Sequence, residues 1–270
     1  ERKQKEDELK MAYAELHKIQ AELIESEKLA AIGILASGVA HEIRNPLAVI
    51  LQGVNFLENR LKPCPKNISE ILNLIKDNIR RSDNTIQGIL NFSRKTELSK
   101  QKEDIKSMIE SSLLLVQHKI KLGNIEISRQ LQADLPEIIV NRQKIEQALV
   151  NILLNAIEAI PGGGKIFIRV YLKKLEEITN VVGRRKDDLF VLGEQSLIVE
   201  IEDTGAGISK ENTDKLFLPF FTTKGPNKGV GLGLSVTRNI MLMHRGAIEI
   251  ISQEGKFTKV VLTFKIGGVE

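Results

Sequence analysis

The chain has 270 residues, which suits two ordinary domains better than one. Apolar residues make up 42% and charged residues 27%, which excludes wholesale disorder, and no apolar run approaches the ~18 residues of a membrane span. The 39 basic and 35 acidic groups leave a formal charge of +4, shared evenly between the two parts of the chain, so charge does not point to nucleic acid.

In chain order, residues 1–100 hold only four of the 20 glycines and are rich in Lys, Glu, Leu and Ile, the composition of long helices. Leu9, Ala12, Leu16, Ile19, Leu23, Ser26, Ala30 and Gly33 alternate spacings of three and four, a register imperfect at Tyr13 and Ile24, which suggests a parallel coiled coil over 1–30; one amphipathic helix packing on its own domain is the competing account. Val39, Ile43, Leu47, Ile50 and Val54 continue a helical stripe to about Arg60. Lys62-Pro63-Cys64-Pro65-Lys66 then interrupts it, because proline cannot continue a helix and biases its predecessor toward extended backbone. A second helix is expected over Ile68–Ser93, with Ile68, Ile71, Leu72, Ile75, Ile79, Ile86, Ile89 and Leu90 as its apolar stripe. One such hairpin buries little, so a homodimeric four-helix bundle is the natural completion.

Beyond Lys100 the pattern changes. Helices are expected at 104–121, 142–160 and 231–244, with strands near 124–130, 137–140, 165–173, 196–203, 247–252 and 257–265. Both element types without strict alternation predict an α+β sandwich with helices on one sheet face. Residues 174–195, including Gly183-Arg184-Arg185-Lys186-Asp187-Asp188, read as a solvated loop. Cys64 is the single cysteine, which excludes a disulfide framework, and the four histidines are not spaced as metal ligands. No signal peptide is visible. A start at Glu1 leads us to expect a cytoplasmic fragment making no membrane contact itself, its parent anchored, if at all, through an N-terminal segment outside this sequence.

Chemistry concentrates in five segments. In His41-Glu42-Ile43-Arg44-Asn45-Pro46-Leu47, the ~100° helical step puts His41 opposite the apolar stripe, facing solvent, with Asn45 one turn on and Glu42 beside it. Glu42 could take the Nδ1 proton while Nε2 attacks an electrophile; an ordinary surface histidine is the competing account. Pro46 adds weight to the reactive reading, since a proline inside a helix costs ~3 kcal/mol. His17, His118 and His244 lack such a cluster and read as structural or solvated.

Asn151 and Asn155 share a helix face beside Ile145, Leu149, Ile152 and Ala156. Their amide oxygens suit a hard cation carrying phosphates, or are simply a polar edge. Asp203 ends the inward row Leu197, Val199, Ile201, where a carboxylate needs a donor: the exocyclic amine of adenine, or an Asx-turn with Thr204-Gly205. Gly205 and Gly207 would let backbone approach a flat base. Phe217-Leu218-Pro219-Phe220-Phe221-Thr222-Thr223-Lys224 could hinge a mobile segment, with Lys224 reaching phosphate, or could be core packing. Gly229-Val230-Gly231-Leu232-Gly233 precedes a helix whose free amides would cradle polyphosphate. Val236 stands where a dinucleotide fingerprint needs its third glycine.

In this order the five segments resemble the H, N, G1, F and G2 boxes of two-component sensor histidine kinases, over residues 30–265. The resemblance implies three parts: a coiled-coil signalling helix at 1–30, a dimerisation and phosphotransfer hairpin at 31–98, and a GHKL-type ATP-binding α/β sandwich at 103–266. It implies that His41 accepts phosphate with Glu42 as its base, that Asn155 is the Mg²⁺ ligand, and that Asp203 reads adenine. The nucleotide set would further include Asn151, Gly205, Gly207, Phe220, Thr223, Lys224, Gly229, Gly231, Leu232 and Gly233, and, by a looser match, Thr258. Asn151 stands where hydrolytic relatives carry a water-activating glutamate, so transfer should win over hydrolysis. Asn45 is compatible with dephosphorylation of a response regulator, the implied partner. The competing functions are a phosphatase-dominant protein and a catalytically silent, ATP-gated dimeric scaffold.

Overall fold

The computed structural model describes residues 42–93, 99–174, 193–223 and 231–266, with backbone alone at 81, 84, 85 and 87–93. The expected coiled coil, His41, most of the polar segment 174–195, Lys224 and Gly229 lie outside the described residues. The chain divides into two units, Glu1–Thr96 and Glu97–Glu270.

In the first unit, helix α1 (42–60) runs unbroken through Pro46. The chain turns at 61–65, and the Pro65 carbonyl accepts the N–H groups of Ile68 and Ser69 at 3.0 and 2.9 Å. That carbonyl lets helix α2 (Lys66–Ser93) begin two residues earlier than the apolar pattern suggested. Two ion pairs set the antiparallel register: Lys76 with Glu58 near the turn, and Arg44 Nε with Asp83 Oδ1 at 2.9 Å toward the far end. Val54, Leu72, Ile79 and Ile86 are buried between the helices.

The expected stripes are only partly covered. Ile43, Ile50 and Ile71 were placed on them, yet remain exposed, together with Val49, Phe56, Leu57 and Leu74. A helix hairpin shields one sector of each helix, and the apolar faces here are wider than that sector.

The second unit opens with β1 (Gln101–Glu103), a strand the sequence reading missed. Its three polar residues carry no alternation signal; it exists because it pairs antiparallel with β3 (Ile138–Val140). Helix α3 (Ile105–Leu122) is capped by the Asp104 side chain, which accepts from Lys106 N and Ser107 N. Strand β2 (Ile125–Leu131) follows, then helix α4 (Arg142–Ala159), capped by Asn141. Next come β4 (Gly164–Lys174), β5 (Gln195–Asp203), a short α5 (Lys210–Thr213) also absent from the expectation, α6 (Gly233–Met243), β6 (Ala247–Gln253) and β7 (Phe257–Lys265).

The large sheet has the order β2-β4-β5-β7-β6, with β2 parallel to β4 and the other pairs antiparallel. Ile166, Ile168 and Val170 of β4, Leu197, Val199 and Ile201 of β5, and Val260, Leu262 and Phe264 of β7 alternate onto one buried face. Met108, Ile145, Leu149 and Ile152 from α3 and α4 complete that core, each fully buried aliphatic contributing ~2 kcal/mol. The other face is polar: Arg169 bonds Glu202 at 2.8 Å, and the Tyr171 hydroxyl donates to Glu200 at 2.9 Å. This is the α+β sandwich that the element pattern predicted.

Candidate functional site

In the first unit, Glu42 and Asn45 are exposed at the start of α1. Arg44 points the other way, into its bond with Asp83. Carboxylate and amide are therefore open to a reactant beside the position of His41 in the sequence, which itself lies outside the described residues.

In the second unit, α4 organises the site. Its apolar side is sealed in the core, and Asn151 and Asn155, half-buried, lie at the margin. Asn151 Nδ2 donates to the Gly233 carbonyl at 3.4 Å. A Cβ on Gly233 would stand 3.9 Å from Asn155 Nδ2 and 4.0 Å from Asn151 Cγ, so both amides face the first turn of α6. Leu232, the N-cap of α6, supplies no side-chain cap, and the first i→i−4 bond runs from Val236 N to Leu232 O at 2.9 Å. The amides of residues 233–235 thus have no intrahelical partner at the positive end of the helix dipole. The amide nitrogens are the polar atoms nearest Gly233, and the neutral oxygens of the same two groups are of the kind that a hard cation already bearing phosphates accepts.

Four residues beyond Asn155, the Ala159 carbonyl accepts the N–H of Ala206 at 3.0 Å, tying the loop after β5 to the end of α4. Asp203 begins that loop and is 5% exposed. Its Oδ1 accepts the Gly205 N–H at 2.8 Å, so the Asx-turn left open by the sequence is formed. Burial pushes the Asp203 pKa up to about 6, against the pull of the Gly205 and Thr258 backbone amides, with Glu202 adding to the rise. Strand register sets Asp203 directly opposite Thr258, itself buried.

Gly205 and Gly207 lie hard against the protein's own backbone. A Cβ on Gly205 would lie 2.5 Å from the Ala159 carbonyl oxygen, and one on Gly207 would run into the Gln253 backbone. The space they leave is filled by the protein itself: they let the loop pack on α4 and on the β6–β7 turn, where Gly255 N donates to Ala206 O at 2.7 Å.

Phe217 lies under the Arg238 guanidinium of α6, 5.6 Å from ring centre to Cζ. Phe220, with φ of 67°, is half-exposed, and its N–H donates to the Gly231 carbonyl at 3.0 Å. Gly231, at φ 71°, leaves no room for a Cβ against Phe220 and Phe221. The two ends of the segment 221–231 are thereby clamped together, with Thr223 exposed just inside the clamp. The sequence reading missed Ser252, which bonds Thr258 Oγ1 at 3.0 Å across the β6–β7 hairpin. The short turn around Gly255 was the available signal, since turn length sets which residues face each other.

Comparison with known proteins agrees with this construction. Residues 140–268 match the family described as "Histidine kinase-, DNA gyrase B-, and HSP90-like ATPase", and residues 31–98 match the "His Kinase A (phospho-acceptor) domain". Sensor histidine kinase ZraS of Escherichia coli K12 is 33% identical over 88% of this chain and 46% of its own length. AtoS, a signal transduction histidine-protein kinase of the same strain, is 32% identical over 87% of this chain and 35% of its own. The chain thus spans between a third and a half of these relatives. Histidine kinase ThkA, solved in complex with response regulator TrrA, aligns with a TM-score of 0.59 at 26% identity, over 93% of this chain and 66% of that one. Full-length ShkA, solved with AMPPNP, shares the fold with a TM-score of 0.68 at 19% identity, over 88% of this chain and 46% of that one. The chain belongs to the two-component sensor histidine kinases, of which it forms a catalytic core with a phosphoacceptor part and a GHKL ATPase-type part.

Proposed function

We propose that this chain transfers the γ-phosphoryl group of ATP to His41 and then passes it to an aspartate of a response regulator. The observation that carries the reading is Asp203: a buried carboxylate at the end of an apolar row, held among the described residues only by backbone amides, and paired across the strands with Thr258. Such a group stays useful when a ligand amine meets it, and adenine offers one. Asn151, Asn155 and the uncapped start of α6 stand along the same helix–sheet layer for the phosphates.

The roles follow. Asp203 and Thr258 orient the base. Gly231, Leu232 and Gly233 present backbone to the phosphates, and Phe220, Thr223, Lys224 and Gly229 belong to the segment that closes over them. Gly205 and Gly207 shape the loop that carries the base site. Asn155, beside Asn151, would hold Mg²⁺, which neutralises phosphate charge. Asn151 lacks the basicity to activate water, so His41 is the acceptor. Nε2 of His41 attacks the γ-phosphorus, the bond to the β-γ bridging oxygen breaks, ADP leaves, and Glu42 takes the Nδ1 proton. Asn45 would orient water for regulator dephosphorylation. The exposed faces around Ile50, Leu57, Ile71 and Leu74 would close a four-helix bundle with a second copy. The division into 1–30, 31–98 and 103–266 is part of the same proposal.

The test is label uptake from γ-labelled ATP. His41→Gln should abolish uptake while ATP binding persists; uptake at the wild-type level overturns the proposal.

A further inference from the structure

The Ser252 hydroxyl sits at the centre of three contacts. Ile208 N approaches it at 2.9 Å, the Phe257 carbonyl at 2.8 Å and Thr258 Oγ1 at 3.0 Å. A serine hydroxyl has one proton to give and two lone pairs. The Ile208 amide can only donate, so it occupies one lone pair. The Phe257 carbonyl can only accept, so it takes the single proton. One lone pair remains for Thr258, whose hydroxyl must therefore be the donor. Thr258 spends its proton on Ser252 and keeps only acceptor capacity for any further partner.

Opposite Thr258 stands Asp203, which when ionised is an acceptor too. The polar end of the base site thus carries two acceptors, the carboxylate and the polarised Thr258 oxygen. A 6-amino purine matches it with two N–H donors, whether these reach the acceptors directly or through water. A 6-keto purine presents an oxygen there instead, and a threonine free to rotate its proton could serve that oxygen.

We propose that Ser252 is a specificity-determining positioning residue: by consuming the Thr258 proton it makes the site prefer a 6-amino purine over a 6-keto purine. This rests on the assignment of the base to Asp203 and Thr258. Ser252 touches no nucleotide in this account; it acts through Thr258.

The test measures dissociation constants for ATP and ITP with the full chain. Replacing Ser252 by Ala releases the Thr258 proton and should narrow the ITP-to-ATP ratio about fivefold, the weight of one hydrogen bond. Ser252→Thr, which keeps the hydroxyl, should hold the ratio at its wild-type value. In a Thr258→Val background, Ser252→Ala should leave the ratio unchanged, whereas a general loosening of the loop would still move it. A ratio unaffected by Ser252→Ala in the wild-type background, or equally changed in the Thr258→Val background, overturns the inference. Asp203→Asn serves as the separate check on the base assignment: if it leaves ATP affinity intact, the assignment itself fails. If it weakens ATP while Ser252→Ala does nothing, the assignment stands and the role of Ser252 falls.

Discussion

The backbone N–H of Asn141 donates to Nε2 of His244 at 2.9 Å, joining the start of α4 to the end of α6. On the other side of the ring, Nδ1 lies 2.7 Å from the Ile240 carbonyl, which can only accept, so Nδ1 carries the proton and Nε2 is the acceptor. The buried imidazole is thereby used as a neutral double connector between the two helices that present Asn151, Asn155 and the first turn of α6.

That connector should make folding sensitive to acid. Burial is the main reason the His244 pKa lies below 6.5, with the charges of Lys100 and Lys144 adding to it against the Ile240 bond. Above pH 6.5 the ring is neutral in both folded and unfolded chains and contributes no pH dependence. Below it the unfolded chain binds a proton that the folded chain resists, so stability is lost as pH falls toward the lowered folded value. Denaturant midpoints of wild type and His244→Gln, compared between pH 7 and pH 5, should show the steeper loss in wild type. Parallel slopes would contradict it.

Asp203 has the opposite sign. Its folded pKa of about 6 lies above the model-peptide value of 3.8, so the folded chain holds a proton that the unfolded chain has released. Ionisation therefore costs stability as pH rises from 3.8 to about 6, and the cost persists at neutral pH. Asp203→Asn should melt higher than wild type at pH 7, with the gain shrinking toward pH 4, while ATP affinity drops. Wild-type ATP affinity should itself decline below about pH 6 as the carboxylate is protonated. Isothermal titration alongside thermal melts measures both, and a variant that melts lower at pH 7 would rule out this trade of stability for binding.

Two glycines with positive φ separate backbone strain from collision. Gly255, at φ 76°, has nothing among the described residues within 4 Å of where a Cβ would stand, so Gly255→Ala should cost only the left-handed strain of ~1 kcal/mol. Gly207, at φ 65°, adds a clash with the Gln253 backbone, and Gly207→Ala should cost ~3 kcal/mol or more. Equal losses in a urea titration would show that the loop after β5 can move aside.

The Arg44–Asp83 bond ties α1 to α2, and Arg44 Nη2 is buried without a hydrogen-bond partner among the described residues. Both side chains are about a third or more exposed, which limits the pair to ~0.5–1 kcal/mol. A double-mutant cycle with Arg44→Met and Asp83→Asn should return a coupling of that order. Additive effects would mean that the hairpin register depends on its apolar contacts alone.

Much of the second unit was legible along the chain. The alternation Leu197, Val199, Ile201, Asp203 placed β5 and its inward carboxylate, because a strand repeats every two residues and one face was to be buried. The stripe of α4 put Asn151 and Asn155 at the core margin for the analogous reason. Gln101–Glu103 was not legible, since three polar residues become a strand only when Ile138–Val140 lies beside them. On α2, Ile71 and Leu72 look equivalent as letters, yet Leu72 is buried and Ile71 is 57% exposed, because one neighbouring helix covers only part of a broad apolar face.

By itself the sequence determined which faces are apolar, where the long helices and the strands of the large sheet run, and which reactive groups occur in which order, since these depend on side chains a few positions apart. Tertiary structure decided that β2 runs parallel beside β4, that Thr258 stands opposite Asp203, and that Ser252 holds the Thr258 proton. The first two choices pair residues distant along the chain, and the third follows from the register of the β6–β7 hairpin. Their register is settled by the shared core and by the backbone contacts that the close approach of Gly205 and Gly207 permits.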